Sequence, residues 1–116
     1  MSGSDRSKLA HGRWGEQRAL RWYLDAGYGL VDRNWRGATG ELDLILARAG
    51  QIIFCEVKAR ASDRFGSPAE AVGYDKQRRI RALASEWLRG EGRSGDVRFD
   101  VVEVTGGRVA VIEDAF

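Results

Sequence analysis

Two apolar runs near the middle of the chain, Gly40-Glu41-Leu42-Asp43-Leu44-Ile45-Leu46 and Ile52-Ile53-Phe54-Cys55-Glu56-Val57-Lys58, have the length and composition of short strands. The stretch between them, Arg48-Ala49-Gly50-Gln51, predicts a reversal and so a hairpin. Successive side chains of a strand point to opposite faces. Glu41, Asp43 and Ile45 are therefore expected on one face of the first strand, and Leu42, Leu44 and Leu46 on the other. In the second strand Phe54, Glu56 and Lys58 share a face, opposite Cys55, Val57 and Ala59. Each run thus carries charge where a buried strand should carry none, and pairing brings Asp43, Glu56 and Lys58 towards one patch.

The remaining elements follow from the same patterning. From about Lys8 to Ala26 the spacing is helical, with Leu20, Tyr23 and Leu24 as the apolar stripe, Arg18, Arg21 and Asp25 on the wet side, and Gly27 as the stop signal. Residues 1–7 read as a flexible tail. Gly29 to Arg36 reads as a strand with Leu30, Val31 and Trp35 as its apolar content, closed by a tight turn at residues 37–40. Arg60 to Gly66 is a polar loop containing Phe65, and Ser67-Pro68-Ala69-Glu70 has the form of a capping box, which gives Glu70 a structural task. Beyond Gly73, Asp75 is expected to cap a helix reaching about Arg89, with Ile80, Leu83, Ala84, Trp87 and Leu88 as its stripe. Val97 to Thr105 and Arg108 to Glu113 are strands joined at Gly106-Gly107. The expected fold is α/β, a mixed five-stranded sheet flanked by helices in the order α-β-β-β-α-β-β, with residues 8–116 forming a single domain.

Length sharpens this picture, since 116 residues suffice for one modest core and not for two. The one cysteine, Cys55, excludes an intramolecular disulfide and agrees with a cytoplasmic setting. No apolar run has the length of a membrane span, and the first residues lack the apolar segment of a signal peptide, so neither membrane insertion nor export is expected. The formal net charge of +2 hides an uneven distribution: residues 1–36 hold 7 bases and 4 acids, residues 37–57 hold 1 and 3, and residues 58–93 hold 9 and 5. Two basic segments flanking an acidic centre suit a polyanion gripped at the rim. The same arginines read equally well as solvated helix surface.

The acidic centre narrows the chemistry. Two carboxylates brought together resist ionisation unless a cation joins them, so Asp43 and Glu56 form a natural site for a hard divalent ion. Glu16 lies four residues before Leu20 and seven before Tyr23 and so projects from the core-facing stripe, where a carboxylate needs a partner; a salt-bridged or half-exposed helix residue would read the same way. Lys76, four residues before Ile80, continues the second helix's stripe and either reaches a phosphate or snorkels to water. Arg33, Asn34 and Arg36 offer phosphate contacts or simply keep an edge strand soluble. Asp100 and Glu103 read as structural. The single histidine, His11, supplies no acid-base or zinc scheme, and the glycine-rich stretch 90–95 lacks the lysine and hydroxyl of a nucleotide-binding loop.

The spacing Gly12-x-x-Gly15-Glu16, Gly27-Tyr28, Arg33-Asn34-Trp35-Arg36, Gly40-Glu41-x-Asp43, Phe54-x-Glu56-Val57-Lys58-x-Arg60, Phe65-Gly66-x-Pro68 and Lys76 resembles the small bacterial YraN family. Its members look like archaeal Holliday-junction resolvases of the PD-(D/E)XK nuclease superfamily, and the match runs from about Lys8 to Val104. Leu42 stands where the superfamily's name has proline. The resemblance implies a restriction-endonuclease-like core and hydrolysis of phosphodiester bonds in branched or distorted DNA, with a homodimer as the expected working form. It implies magnesium or manganese as cofactor and no organic one. Asp43, Glu56 and the Val57 carbonyl would ligate the metal, with Glu16 completing the shell and Lys58 orienting the attacking water. Glu41 is auxiliary, and Arg33, Asn34, Arg36, Arg60, Lys76 and Arg79 would contact nucleic acid. Two other functions fit the same residues: a nucleic-acid-binding module that does not cut, and an interaction protein whose charged strands pair with each other.

Overall fold

The computed structural model describes residues 3–60 and 72–116, with side chains from Gly12 onward. The 67–70 capping box and Phe65 lie outside the described residues. In chain order the elements are α1 (Gly3–Asp25), β1 (Gly29–Arg36), β2 (Glu41–Arg48), β3 (Gln51–Arg60), α2 (Tyr74–Glu91), β4 (Asp96–Thr105) and β5 (Arg108–Ile112). The order α-β-β-β-α-β-β is the one expected. The first helix begins at Gly3 rather than Lys8, so its backbone runs through most of the segment read as a tail. It stops where the sequence stops it: Gly27 adopts a φ of 92°, and the Tyr28 N–H returns to the Tyr23 carbonyl at 3.0 Å.

The strands form one mixed sheet in the order β1-β2-β3-β4-β5. All neighbours are antiparallel except β3 and β4, which run parallel. A parallel pair needs a crossover, and the segment containing α2 supplies it. The tight turn between β2 and β3 carries positive φ at both Ala49 and Gly50, the geometry that matches strand twist. In α2 the N-cap is Gly73, with no side-chain cap, and Asp75 falls in the first turn. Asp75 thus meets the positive end of the helix dipole instead of capping it.

Each face of the sheet is covered by one helix. Ala19, Leu20 and Tyr23 of α1 pack on Leu44, Leu46, Ile53, Cys55, Val102 and Val104. On the opposite face Ile80, Leu83, Ala84 and Trp87 of α2 pack on Leu42, Ile45, Phe54, Phe99 and Val101. Leu24, expected in the α1 stripe, is 46% exposed, and Ala19 takes its place. A third helical residue sets how closely α1 approaches: a Cβ on Gly15 would lie 2.8 Å from the Ala59 Cβ on β3. Only glycine permits that contact, and it lowers the N-terminal half of α1 onto the end of the sheet that bears the acids.

Candidate functional site

Leu42 and Leu44 do not share a face, contrary to the alternation expected for β2. Leu42 packs with Ile45 beneath α2, whereas Leu44 packs beneath α1. The break falls at Asp43, where the hairpin ladder also ends: the β2–β3 pairing runs from Arg48↔Gln51 to Leu44↔Cys55. Past that point the Val57 N–H donates to Asp43 Oδ2 at 2.8 Å, so a side chain replaces the backbone acceptor. Asp43 therefore does not lie on Ile45's face. It turns into the opening between the strands, lining a cleft of about 460 Å³ with Gly12, Arg13 and Glu16 of α1, Asn34 of β1, Glu41, Val57 and Ala59.

Glu56, next along β3, is 8% exposed and keeps the α2-facing orientation expected from Phe54. Its carboxyl lies close enough to that of Asp43 for the two to act on each other electrostatically. Two carboxyl groups at such range hold a proton between them or repel. Burial above all, then the charges of Glu56 and Glu16, push the Asp43 pKa up to about 8, against the lowering effect of the Val57 N–H. From the other side Lys76 Nζ approaches Glu56 Oε1 at 2.5 Å. Lys58 follows on β3, half-buried and in register with Glu103 of β4, and has no ion-pair partner among the described residues.

Glu16 reaches the cleft from α1 but is held on its own terms. With the Asn34 amide oriented so that its nitrogen faces the carboxylate, Nδ2 donates to the two Glu16 oxygens at 2.6 and 3.1 Å. Asn34 does so from a left-handed backbone, φ 50°, inside β1, a conformation asparagine tolerates better than most residues. Burial raises the pKa of Glu16, with Glu41 and Glu56 adding to the rise and Arg33 and Asn34 opposing it. Among the described residues no three acidic, histidine or cysteine side chains are gathered closely enough to hold a metal as they stand. Asp43 feels both Glu56 and Glu16, and Glu16 is also held by Asn34.

The other residues named from sequence are mostly engaged with acids. Arg36 pairs with Glu41 at 3.2 Å, Arg60 with buried Glu103 at 2.9 Å, and Lys76 with Glu56. Arg79 is exposed on α2 beside Gly40. Arg13 lines the cleft and was not singled out in sequence; its signal was its place three residues before Glu16 on the same helix. Cys55 faces away from the acids as expected, buried under α1, and its thiol is pushed well up by burial.

Comparison with known proteins places this arrangement in a family. The model of the uncharacterised protein family UPF0102 matches residues 15–104. The chain is 50% identical over 114 residues to a UPF0102 protein of Rhodococcus jostii, covering 93% of this chain and 97% of that one. It is also 50% identical over 101 residues to a UPF0102 protein of Frankia alni (86% and 84% covered), and 42% identical over 113 residues to one of Syntrophus aciditrophicus (93% and 89%).

Proposed function

The chain belongs to the UPF0102 family, and from that premise we propose that it is a metal-dependent endonuclease of the PD-(D/E)XK kind, acting on branched or otherwise distorted DNA. The observation that carries the reading is the gathering of acids around Asp43, with Glu56 and Glu16 both close enough to push its pKa up. Their chemistry fits a hard divalent cation. Magnesium commonly takes one or two protein carboxylates and fills its shell with water and substrate oxygens, which agrees with a close pair and no preassembled triad among the described residues. Asp43 and Glu56 would hold the ion, with the Val57 carbonyl as the superfamily pattern implies. When bound, magnesium or manganese supplies Lewis-acid stabilisation of the phosphoryl oxygens and lowers the pKa of a coordinated water.

The chain's own residues supply the rest. The Val57 N–H fixes Asp43, so the carboxyl is aimed before any ligand arrives. Lys58, two residues beyond Glu56 on its strand face, offers a point charge for orienting water or offsetting negative charge in the transition state. Arg13, at the cleft, and Arg33, close enough to act on Glu16, provide positive charge for flanking phosphates. Glu41, beside Arg36 at the rim, is an auxiliary acid. Branch preference, and a dimer that would cut two strands about a two-fold axis, belong to the same proposal.

The test is cleavage of four-way, flapped, linear and single-stranded DNA by purified protein with magnesium or manganese. Wild type is expected to cut the four-way or flapped substrate, and Asp43→Asn and Glu56→Gln to lose at least about 10³-fold in rate, the scale of removing a group that stabilises transition-state charge. Intact DNA in every lane sinks the enzyme reading. Salt-dependent binding without cutting, unchanged in Asp43→Asn, would replace it with a nucleic-acid-binding module.

A further inference from the structure

We infer that Lys76 is a built-in counter-ion, which a divalent metal must displace from Glu56 before it can bind there. The inference rests on the reading of Asp43 and Glu56 as the metal-holding pair. Glu56 has two neighbours of opposite meaning: the Asp43 carboxyl on one side, and on the other the Lys76 ammonium, 2.5 Å from Oε1. The Glu56 side chain is only 9% exposed, so water does little to screen it, and the ammonium is what makes its charge tolerable in the metal-free fold. An ion coordinated by that carboxylate would bring two positive charges up to the ammonium, and like charges at such separations in a partly buried site repel by several kcal/mol. One of the two cations has to leave.

Lys76 is built to be the one that moves. It lies in the first turn of α2, and its side chain is 34% exposed, so a rotation of the stem carries the ammonium to solvent without unpacking Ile80 or Leu83. Residue type points the same way. The chain's 19 basic residues include only three lysines, Lys8, Lys58 and Lys76, yet lysine stands at this position. A guanidinium would grip Glu56 with a planar, two-pronged bond, whereas an ammonium is a single point charge and is easier to exchange. Once displaced, it remains beside Glu56 as a cation available to a phosphate.

Calorimetric titration of manganese chloride, without DNA, into the full chain tests this. Lys76→Gln is expected to bind manganese at least tenfold more tightly than wild type, and Lys76→Arg no more tightly. Equal or weaker binding by Lys76→Gln overturns the counter-ion and leaves the metal pair standing. No binding to any form overturns the pair and the counter-ion with it. A second measurement avoids variants: with lysine ¹³Cε-labelled wild type, three resonances are expected, and saturating magnesium should move that of Lys76. A Lys76 signal that stays in place while the metal binds overturns the proposal.

Discussion

Asp100 on β4 and Asp43 on β2 are acids sunk into the same sheet, yet their surroundings differ in kind. Asp100 is fully buried and every lone pair is spoken for. Arg98 Nε donates to Oδ1 and Nη2 to Oδ2, both at 2.8 Å; the Asp114 N–H reaches Oδ1 at 3.0 Å, and the Tyr23 hydroxyl reaches Oδ2 at 2.7 Å. The cluster ties α1, β4 and the turn after β5 together, and burial beside Asp100 pushes the Tyr23 phenol far up so that it stays a donor. Among the described residues Asp43 has one backbone donor and then meets Glu56, with Glu16 nearby. A buried acid with a complete set of donors holds a fold together. One left facing other acids is held in place by the fold at a cost, and that cost is what sets Asp43 apart from Asp100.

Removing each acid should therefore have opposite consequences. Asp100→Ala takes from Arg98, whose side chain is 12% exposed, its buried carboxylate partner and leaves the Tyr23 hydroxyl without its acceptor. A loss of about 3–5 kcal/mol is expected in a denaturant melt, the usual cost of breaking a buried ion pair from one side. A loss below about 1 kcal/mol would break the comparison, because Asp100 would then be no more structural than Asp43. Gly15→Ala comes next. Its added methyl, 2.8 Å from Ala59 Cβ, lifts α1 from β3 at an expected cost of about 1–3 kcal/mol. Ala59→Gly in the same chain should recover most of that.

Asp43→Asn should stabilise the metal-free protein by about 1–2 kcal/mol, and more at pH 8 than at pH 5. Asp43 titrates at about 8 when folded, against an ordinary value of 3.8. Between these values the folded state binds a proton that the unfolded state does not, so stability falls as pH rises. Asparagine keeps the acceptor for the Val57 N–H and removes the titration, flattening that slope. Thermal melts of both proteins across pH 5–8 measure it, and parallel curves would mean that Asp43 carries no such burden.

Much of this was legible in the chain. Period-two runs and the turn residues at 49–50 and 106–107 gave the strands and their order, and the Glu16, Asp43 and Glu56 positions stood out as acids in apolar company. What was hidden depended on contacts between elements. Leu42 leaves its expected face because Asp43 takes over a hydrogen bond from β3, and no local pattern in β2 encodes a donor fourteen residues away. Arg36, Arg60 and Lys76 looked like phosphate ligands because charge alone does not say which acid lies opposite. The Asp100 cluster was half visible as Arg98 and Asp100 on one strand face, but Tyr23 comes from another helix altogether.

The smallest effect discriminates most finely, because Asn34 does for Glu16 a weaker version of what Arg98 does for Asp100. It donates to both carboxylate oxygens but brings no charge, and it does so from a left-handed backbone at φ 50°. Asn34→Gly removes the donor and relieves the backbone, two changes of opposite sign, so at pH 5 stability should stay within about 1 kcal/mol of wild type. At higher pH they cease to cancel. Burial already raises the Glu16 pKa and Asn34 opposes that rise; without the amide the folded carboxyl holds its proton still more tightly. Stability then falls further as pH climbs above the ordinary glutamate range, and the gap between variant and wild type should widen from pH 5 to pH 8. A gap that stays constant would make Asn34 a residue chosen for its backbone conformation in β1 with no hold on Glu16, leaving that acid as uncompensated as Asp43.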